Sequence, residues 1–521
     1  MYNGIRIHLD EPALPLENLV DWCGTRLHLL KHNYIELYAR SFRLREFFEK
    51  AGDFGYLKSR IRLFLLCGSE GLDERLNTVR DSIGDFISIG INHLTLQLRA
   101  SELLAFERSA CAKEILNLFG SVEISIVVDD DFALGGDLFA SDMLNERNTT
   151  IYFEPDVERE RFGWFADQQH IMPGTDIKVS ELRRDDIDPL FNALVLTSTE
   201  NCNAACRHCA PSCAPVKSKP IDVNFFASII RQASQNPYIK RDVAFVGGEP
   251  TIYLKELTHL FKVSNECGVT PSITTNGWWG RDQNKRTQYM EAFRRGGLRR
   301  MELSVDVFHQ EFVPMSAIIG ILKDARKYEI SIIIRATINR VDNLSKALTG
   351  IPISLLKGHL VASSPVIPIG RAAEVIADEH NYKTNQLLGA CHDALNFTVR
   401  YDGVATPCCV GTEFVPYLHL GNARQEPVAL LVERFRSSFV LQNLVRLGPR
   451  YLVSILPDEL RSKYENREFV GICHLCLSMF ADDEIQQHFR KLESNVITKV
   501  VAEMAFELPS ELLESTRART H

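Results

Sequence analysis

No run of about 18 uncharged apolar residues occurs anywhere in the 521-residue chain, so no segment is expected to cross a bilayer as a helix. The first residues, Met1-Tyr2-Asn3-Gly4-Ile5-Arg6, lack a basic flank followed by an apolar run, and no secretory signal is expected. Excess positive charge is missing as well. Lys and Arg number 59 against 67 Asp and Glu, a net charge of −8, which gives no global field for nucleic acid or anionic lipid. Internal repeats and low-complexity segments are absent from the sequence. What is there is ordinary for a packed, cytoplasmic chain: 45% apolar and 24% charged residues, at a length that predicts two to four domains.

Cysteine is the exception. The 13 cysteines are odd in number and most are bunched in two places, which in a long cytosolic chain points to metal and away from a disulfide framework.

Residues 1–188 hold three scattered cysteines, Cys23, Cys67 and Cys111. Short β-like runs at 60–66, 93–98 and 122–128 alternate with helix-length segments, which predicts an α/β domain on a parallel or mixed sheet. The acidic stretch through Asp185, Asp186 and Asp188 precedes a new strand at 193–197, so a boundary is expected near 188. From 189 to 385 the rhythm continues, with strands expected at 242–246, 271–275, 300–305, 331–338 and 359–362. One helix is expected to start at Asp222, a good N-cap, with Phe225, Phe226, Ile229 and Ile230 as its apolar stripe. Repeated βα units predict a full or partial parallel barrel whose chemistry sits at the C-terminal strand ends. Residues 386–483 are dominated by turns and cysteines, and from 484 to 521 an amphipathic helix and tail close the chain.

Just past the strand at 193–197 stand Cys202, Cys206 and Cys209, a Cys-x3-Cys-x2-Cys spacing. Three thiolates on one loop suit three corners of a [4Fe–4S] cube, leaving one iron open to bind something else. Structural zinc, with Cys213 as fourth ligand, is the alternative. The loop resembles the signature of radical S-adenosylmethionine (SAM) enzymes, and the resemblance extends over about 193–480. In that family the cluster's open iron chelates SAM, whose reductive cleavage gives a 5′-deoxyadenosyl radical that abstracts a substrate hydrogen. His208 stands where the family has an aromatic residue near the adenine, with a surface loop histidine as the alternative. Gly247-Gly248-Glu249-Pro250 resembles the family's Gly-Gly-Glu-Pro motif; two glycines let a backbone edge approach the ligand, and Glu249 offers an acceptor for an ammonium. Thr274-Thr275-Asn276-Gly277 and Ser304-Val305-Asp306 end the next two strands, where the family hydrogen-bonds the methionine and ribose of SAM. Arg335 is placed to pair with the SAM carboxylate. Pro368-Ile369-Gly370-Arg371-Ala372 resembles a segment of members that carry an extra cluster domain. His309 reads as an ordinary loop histidine, with a proton relay as the alternative. Trp278 and Trp279 read as packing residues, with substrate stacking as theirs.

The second constellation is Cys391, Cys408, Cys473 and Cys476. Asp402-Gly403 reads as a hairpin turn that brings Cys391 and Cys408 toward each other, and a Cys-x2-Cys loop completes a four-thiolate site. Its layout resembles the twitch auxiliary domain, related to SPASM, which carries one further [4Fe–4S] cluster; structural zinc is again the alternative, and Cys409 is a substitute for Cys408. The remaining cysteines, Cys267 among them, read as packed thiols.

The resemblance implies a radical SAM enzyme, fed by an electron donor such as flavodoxin or ferredoxin, that crosslinks, oxidises or epimerises a ribosomally made precursor peptide. Oxidation of a small molecule such as an amino sugar is the second reading, and a non-catalytic iron–sulfur electron-transfer or binding protein the third. No catalytic residue beyond the cofactor ligands is assigned.

Overall fold

The structure, a computed structural model, describes residues 191–494 apart from 217–219, 240, 357–358, 386, 388–390 and 392–395. Within the first 190 residues it describes 4–8, 34–39, 61–65, 72–74, 76–77, 79–81, 93–99, 106, 109–118, 121–127 and 150–153.

The strands are β1 (Gly4–His8), β2 (Tyr34–Ala39), β3 (Ile61–Leu65), β4 (His93–Arg99), β5 (Ser121–Val127), β6 (Thr150–Phe153), β7 (Ala193–Thr199), β8 (Asp242–Gly247), β9 (Thr270–Thr275), β10 (Arg300–Ser304), β11 (Ser331–Ile338), β12 (Leu360–Pro365), β13 (Asn396–Arg400), β14 (Val404–Thr406) and β15 (Gly421–Asn422). Among the described residues they form one sheet in the order β1-β2-β3-β4-β5-β6-β12-β11-β10-β9-β8-β7-β13-β14-β15. From β7 to β12 every neighbouring pair is parallel and consecutive in sequence. Parallel neighbours need a crossover connection, and helices supply it. The ring stays open, because β12 takes β6 as its outer neighbour and β7 takes β13. The core is therefore a partial (β/α) parallel barrel.

Alternation along the strands decides which face is which. In β10, Met301 and Leu303 are fully buried while Arg300, Glu302 and Ser304 are half-buried; in β11, Ile332, Ile334, Ala336 and Ile338 are buried while Ser331, Ile333, Arg335 and Thr337 are less so. The apolar set joins the core cluster shared with the helices, each large side chain adding roughly 1.5–3 kcal/mol of burial free energy. The other set leaves a polar face across the parallel strands. Register places Arg300 beside Ser272, Glu302 beside Thr274, and Ser304 beside Arg335. Two ion pairs lie on this face: Arg300 Nη2 to Asp242 Oδ1 at 3.0 Å and Arg335 Nη2 to Glu302 Oε1 at 3.2 Å.

The helices start where capping chemistry allows. Asp222 accepts from the Phe225 amide at 3.1 Å and caps Val223–Ser234, which buries Phe226, Ile229, Ile230 and Ala233 at i, i+3, i+4 and i+7. Phe225 is only half-buried, under the Arg424 guanidinium 4.0 Å from its ring centroid. Asp282 caps Gln283–Gly296 in the same way.

After the barrel, β13 and β14 form an antiparallel hairpin around Gly403, whose φ of +92° only glycine adopts readily. Helix Ile472–Phe480 follows, and residues 483–494 are helical, with Ile485 and Phe489 fully buried. Cys111 and Cys267 are half-buried thiols, as expected; Cys23 and Cys67 lie outside the described residues. No helix among the described residues is long and apolar enough to cross a membrane.

Candidate functional site

The motifs at 202–209, 247–250, 274–277 and 304–306 converge because β7 to β10 are parallel neighbours and each motif follows the C-terminal end of its strand. After β7 the chain turns through the cysteine loop and returns, closing with a bridge between Asn201 and Ala214 and a Cys202 N–H···O bond to Ala214 at 3.1 Å. Cys202, Cys206 and Cys213 are buried with Ala204, Phe308, Val366 and Ala372, and Cys209 packs at their edge. None of the described cysteines forms a disulfide.

Burial pushes the Cys202 thiol up to about 12 and raises Cys206 as well. Cys209 is lowered, chiefly by hydrogen bonding from the Cys213 thiol, with the Cys213 amide adding a donor 3.3 Å from its sulfur. The raised thiols of Cys202 and Cys206 stay protonated until the charge of a bound metal displaces the proton, whereas Cys209 is already the more acidic. The three on one closed loop fit an iron–sulfur cube.

Gly247 and Gly248 serve a contact inside the protein. A Cβ on Gly247, whose φ is +136°, would stand 2.3 Å from the carbonyl oxygen of Thr199; one on Gly248 would stand 2.1 Å from that of Asn201. The strand end is thereby drawn against the root of the cysteine loop, where Gly248 N donates to Thr199 O and Glu249 N to Asn201 O, both at 2.8 Å. The backbone approach expected from the two glycines is thus made to protein backbone.

Glu249 is 1% exposed and caps the short 3-10 helix Pro250–Tyr253, with Pro250 buried at its start. Its Oε1 accepts from the Thr251 amide at 3.1 Å, from the Thr251 hydroxyl, and from Thr275 Oγ1 at 2.8 Å; Oε2 accepts from Asn276 N at 2.8 Å. Asn276 continues the network by donating Nδ2 to Asn203 Oδ1 at 2.9 Å, on the cysteine loop. Burial raises the Glu249 carboxyl even against these four donors. Trp278 Nε1 donates to Thr251 Oγ1 at 3.1 Å, and Trp279 is buried and stacked on Tyr289, so both are packing residues in this structure.

At the end of β10, Ser304 is half-buried and Asp306 is 1% exposed. Asp306 caps the turn Val307–Gln310 and faces His309, whose Nδ1 is 2.9 Å from both carboxylate oxygens; the Thr337 amide donates to Oδ2 at 3.2 Å. Burial opposes the charge, yet the His309 and His208 imidazoles hold the Asp306 carboxyl well below the usual range. His208 is lowered to about 4 by burial, and its Nδ1 has no hydrogen-bond partner among the described residues. Cys206 Sγ and ring nitrogens of His208 and His309 lie within 4.8 Å of one another. The Asp306–His309 pair is the element the motifs alone did not assign; an aspartate N-cap with histidine at i+3 is the local signal for it. Arg335 stands farther along the polar face, paired with Glu302 and 42% exposed.

In the second constellation Cys391 is buried, Cys408 half-buried and Cys409 exposed. Burial raises the Cys476 thiol, and the charges of Cys391 and Cys408 raise it further. Cys473 and Cys476, expected on a loop, sit in the first two turns of Ile472–Phe480, where a spacing of three puts both on one helix face.

Residues 196–353 match the radical SAM superfamily. Over 311 residues the chain is 25% identical to "Putative peptide biosynthesis protein YydG" of Bacillus subtilis (strain 168), a match that covers 58% of this chain and 96% of the relative. Similar solved structures include BtrN in complex with AdoMet and 2-DOIA, at 15% identity and TM-score 0.35 over 51% of this chain and 91% of that one. Another is anSMEcpe with bound AdoMet and the Cp18Cys peptide, at 14% identity and TM-score 0.36 over 60% and 100%. The three-cysteine loop, the strand-end series and the match to the radical SAM superfamily over residues 196–353 all fall on the same parallel strands.

Proposed function

We propose that this radical SAM enzyme modifies a ribosomally made precursor peptide. The observation that carries the reading is the peptide biosynthesis relative, matched over 96% of its length. A radical SAM domain implies a [4Fe–4S] cluster and SAM. When bound, they supply one-electron cleavage of SAM and the radical that takes a hydrogen atom from the substrate.

In this reading Cys202, Cys206 and Cys209 hold the cluster, and His208, Gly247, Gly248, Glu249, Pro250, Thr275, Asn276, Ser304, Asp306 and Arg335 line the SAM site. Two of these side chains have roles that follow from their bonding. Glu249 Oε2 accepts one bond from the described residues and keeps a lone pair for an ammonium. Asp306 fixes the orientation of His309, whose ring lies within 4.8 Å of Cys206 Sγ. Cys391, Cys408, Cys473 and Cys476 form an auxiliary [4Fe–4S] site; the half-buried position of Cys408 and the exposure of Cys409 support Cys408 as the ligand. Residues 1–188 grip the peptide, 189–385 are the radical core, 386–483 the auxiliary domain and 484–521 a closing tail. The enzyme works in the cytoplasm with a flavodoxin- or ferredoxin-type donor.

The test is anaerobic incubation of reconstituted, reduced enzyme with SAM and any short peptide encoded beside its gene. Formation of 5′-deoxyadenosine together with a mass change in the peptide is expected. SAM cleavage that no such peptide stimulates, and that leaves every peptide mass unchanged, refutes the peptide reading.

A further inference from the structure

Far along the chain from the cysteine loop, Pro368-Ile369-Gly370-Arg371-Ala372 lies against it. Arg371 Nη1 donates to Cys206 O at 2.9 Å, and Nη2 donates to Ser212 O at 2.8 Å and Cys213 O at 2.9 Å. These carbonyls flank Cys209 on both sides, so one planar guanidinium spans the loop that holds the three cysteines. Gly370 makes the approach possible. Its φ is +53°, and a Cβ there would stand 1.8 Å from Ala210 O and 2.8 Å from Ala210 C. Backbone atoms cannot yield to such a contact as a flexible side-chain end can, so the position requires glycine. Ala372, the next residue, is buried in the same small cluster as Cys202 and Cys206.

The preceding residue faces the other way. A Cβ on Gly411 would stand 2.4 Å from Ile369 Cδ1 and 2.8 Å from Leu477 Cδ1, so Ile369 reaches the neighbourhood of Cys408 and Cys476. Three consecutive residues thus run from the first cysteine loop to Gly411, three residues past Cys408.

We propose that Arg371 is a positioning residue for the radical SAM reaction: it presets the Cys202–Cys209 loop by bridging its carbonyls and fixes one positive charge beside the cluster site. A loop held by three charge-assisted bonds keeps its sulfurs near their ligating positions before metal arrives, which reduces the ordering required on binding. A permanent cation beside the site favours the more negative, reduced state of a bound cluster, and so raises its reduction potential. The charge half of the proposal rests on Cys202, Cys206 and Cys209 being the ligands; the loop half does not.

The experiment uses full-length protein carrying Arg371→Lys or Arg371→Gln. Hydrogen exchange before reconstitution reads the loop. Both variants are expected to lose at least about tenfold in protection at residues 203–214, since lysine cannot reproduce the fork, while β8 and β9 keep theirs as the control for folding. After anaerobic reconstitution, redox titration followed by electron paramagnetic resonance reads the charge: Arg371→Gln is expected to shift the midpoint negative, and Arg371→Lys to stay nearer the parent. Unchanged loop protection in Arg371→Gln overturns the proposal. Equal midpoints in the two variants overturn its electrostatic half. A missing cluster in the parent protein itself would instead refute the ligand assignment, leaving the exchange result standing.

Discussion

The carboxylate of Asp306 holds the imidazole of His309 through both of its oxygens, each 2.9 Å from Nδ1. Asp306 is 1% exposed, and removing one member of a buried charged pair leaves the other without its partner. Asp306→Ala is therefore expected to destabilise the protein by about 3–5 kcal/mol, and His309→Gln by less. In denaturant unfolding of the two single variants and the double variant, a coupling of about 1–3 kcal/mol is expected. Strictly additive losses would show that the pair does not act as a unit.

Gly248→Ala places a methyl 2.1 Å from Asn201 O, 2.5 Å from Asn201 C and 2.8 Å from Glu200 O. All three are backbone atoms at the root of the cysteine loop. A loss of about 1–3 kcal/mol is expected, together with reduced iron uptake, because relief of the clash requires the loop to move. Normal melting and full iron content in the variant would refute the close approach.

His359 gives a pH dependence separate from both cysteine sites. It is 4% exposed, its Nδ1 has no hydrogen-bond partner among the described residues, and burial, followed by the nearby Arg326 charge, lowers it to about 4. The folded state keeps the imidazole neutral while the unfolded chain takes up a proton near pH 6.5. Below that value the unfolded state binds more protons, so stability falls as the pH falls. The loss runs from the unfolded value down to about 4 and then levels off. Its full size is about 3 kcal/mol. Unfolding free energies of the parent and of His359→Leu between pH 7 and pH 4 check this; the same slope in both would exclude His359 as its source.

Replacing Cys391, Cys408, Cys473 and Cys476 with alanine is expected to remove about half of the roughly eight irons that two cubes contain. Reductive SAM cleavage should stay measurable while substrate turnover is lost. Iron analysis and 5′-deoxyadenosine release read the two separately. A variant fully active on its substrate would make the second site dispensable.

Much of the barrel was legible because each strand is short, apolar on alternate positions and followed by a helix-length segment. The expected strands at 242–246, 271–275, 300–305 and 331–338 correspond to β8 to β11 within one residue at either end. The strands β1, β2 and β6 did not stand out, and β6 shows why. Its place is set by a partner over 200 residues away, with Thr150 beside Ala362, Ile151 beside Val361 and Tyr152 beside Leu360, and no local period encodes such pairing. The cysteine spacings could be read from the chain because each set of near neighbours falls within a few residues, on one loop for Cys202–Cys209 and on one helix for Cys473 and Cys476. The Arg371 clamp could not, since three main-chain carbonyls have no sequence signature. Its motif was visible, but the physical task of the arginine required the fold.

The distance in sequence between Cys206 and Arg371, 165 residues, also sets an order of events during synthesis. At about 5–20 residues per second, roughly 10 to 30 seconds separate the appearance of the loop from that of its clamp. A nascent chain that ends before Arg371 carries all three cysteines of the first site and none of the three bonds that span them. If Cys202, Cys206 and Cys209 hold a cluster, iron delivered in that interval would meet an untethered loop with thiols free to bind in other arrangements, and loading would favour delivery after β12 and Arg371 have been made.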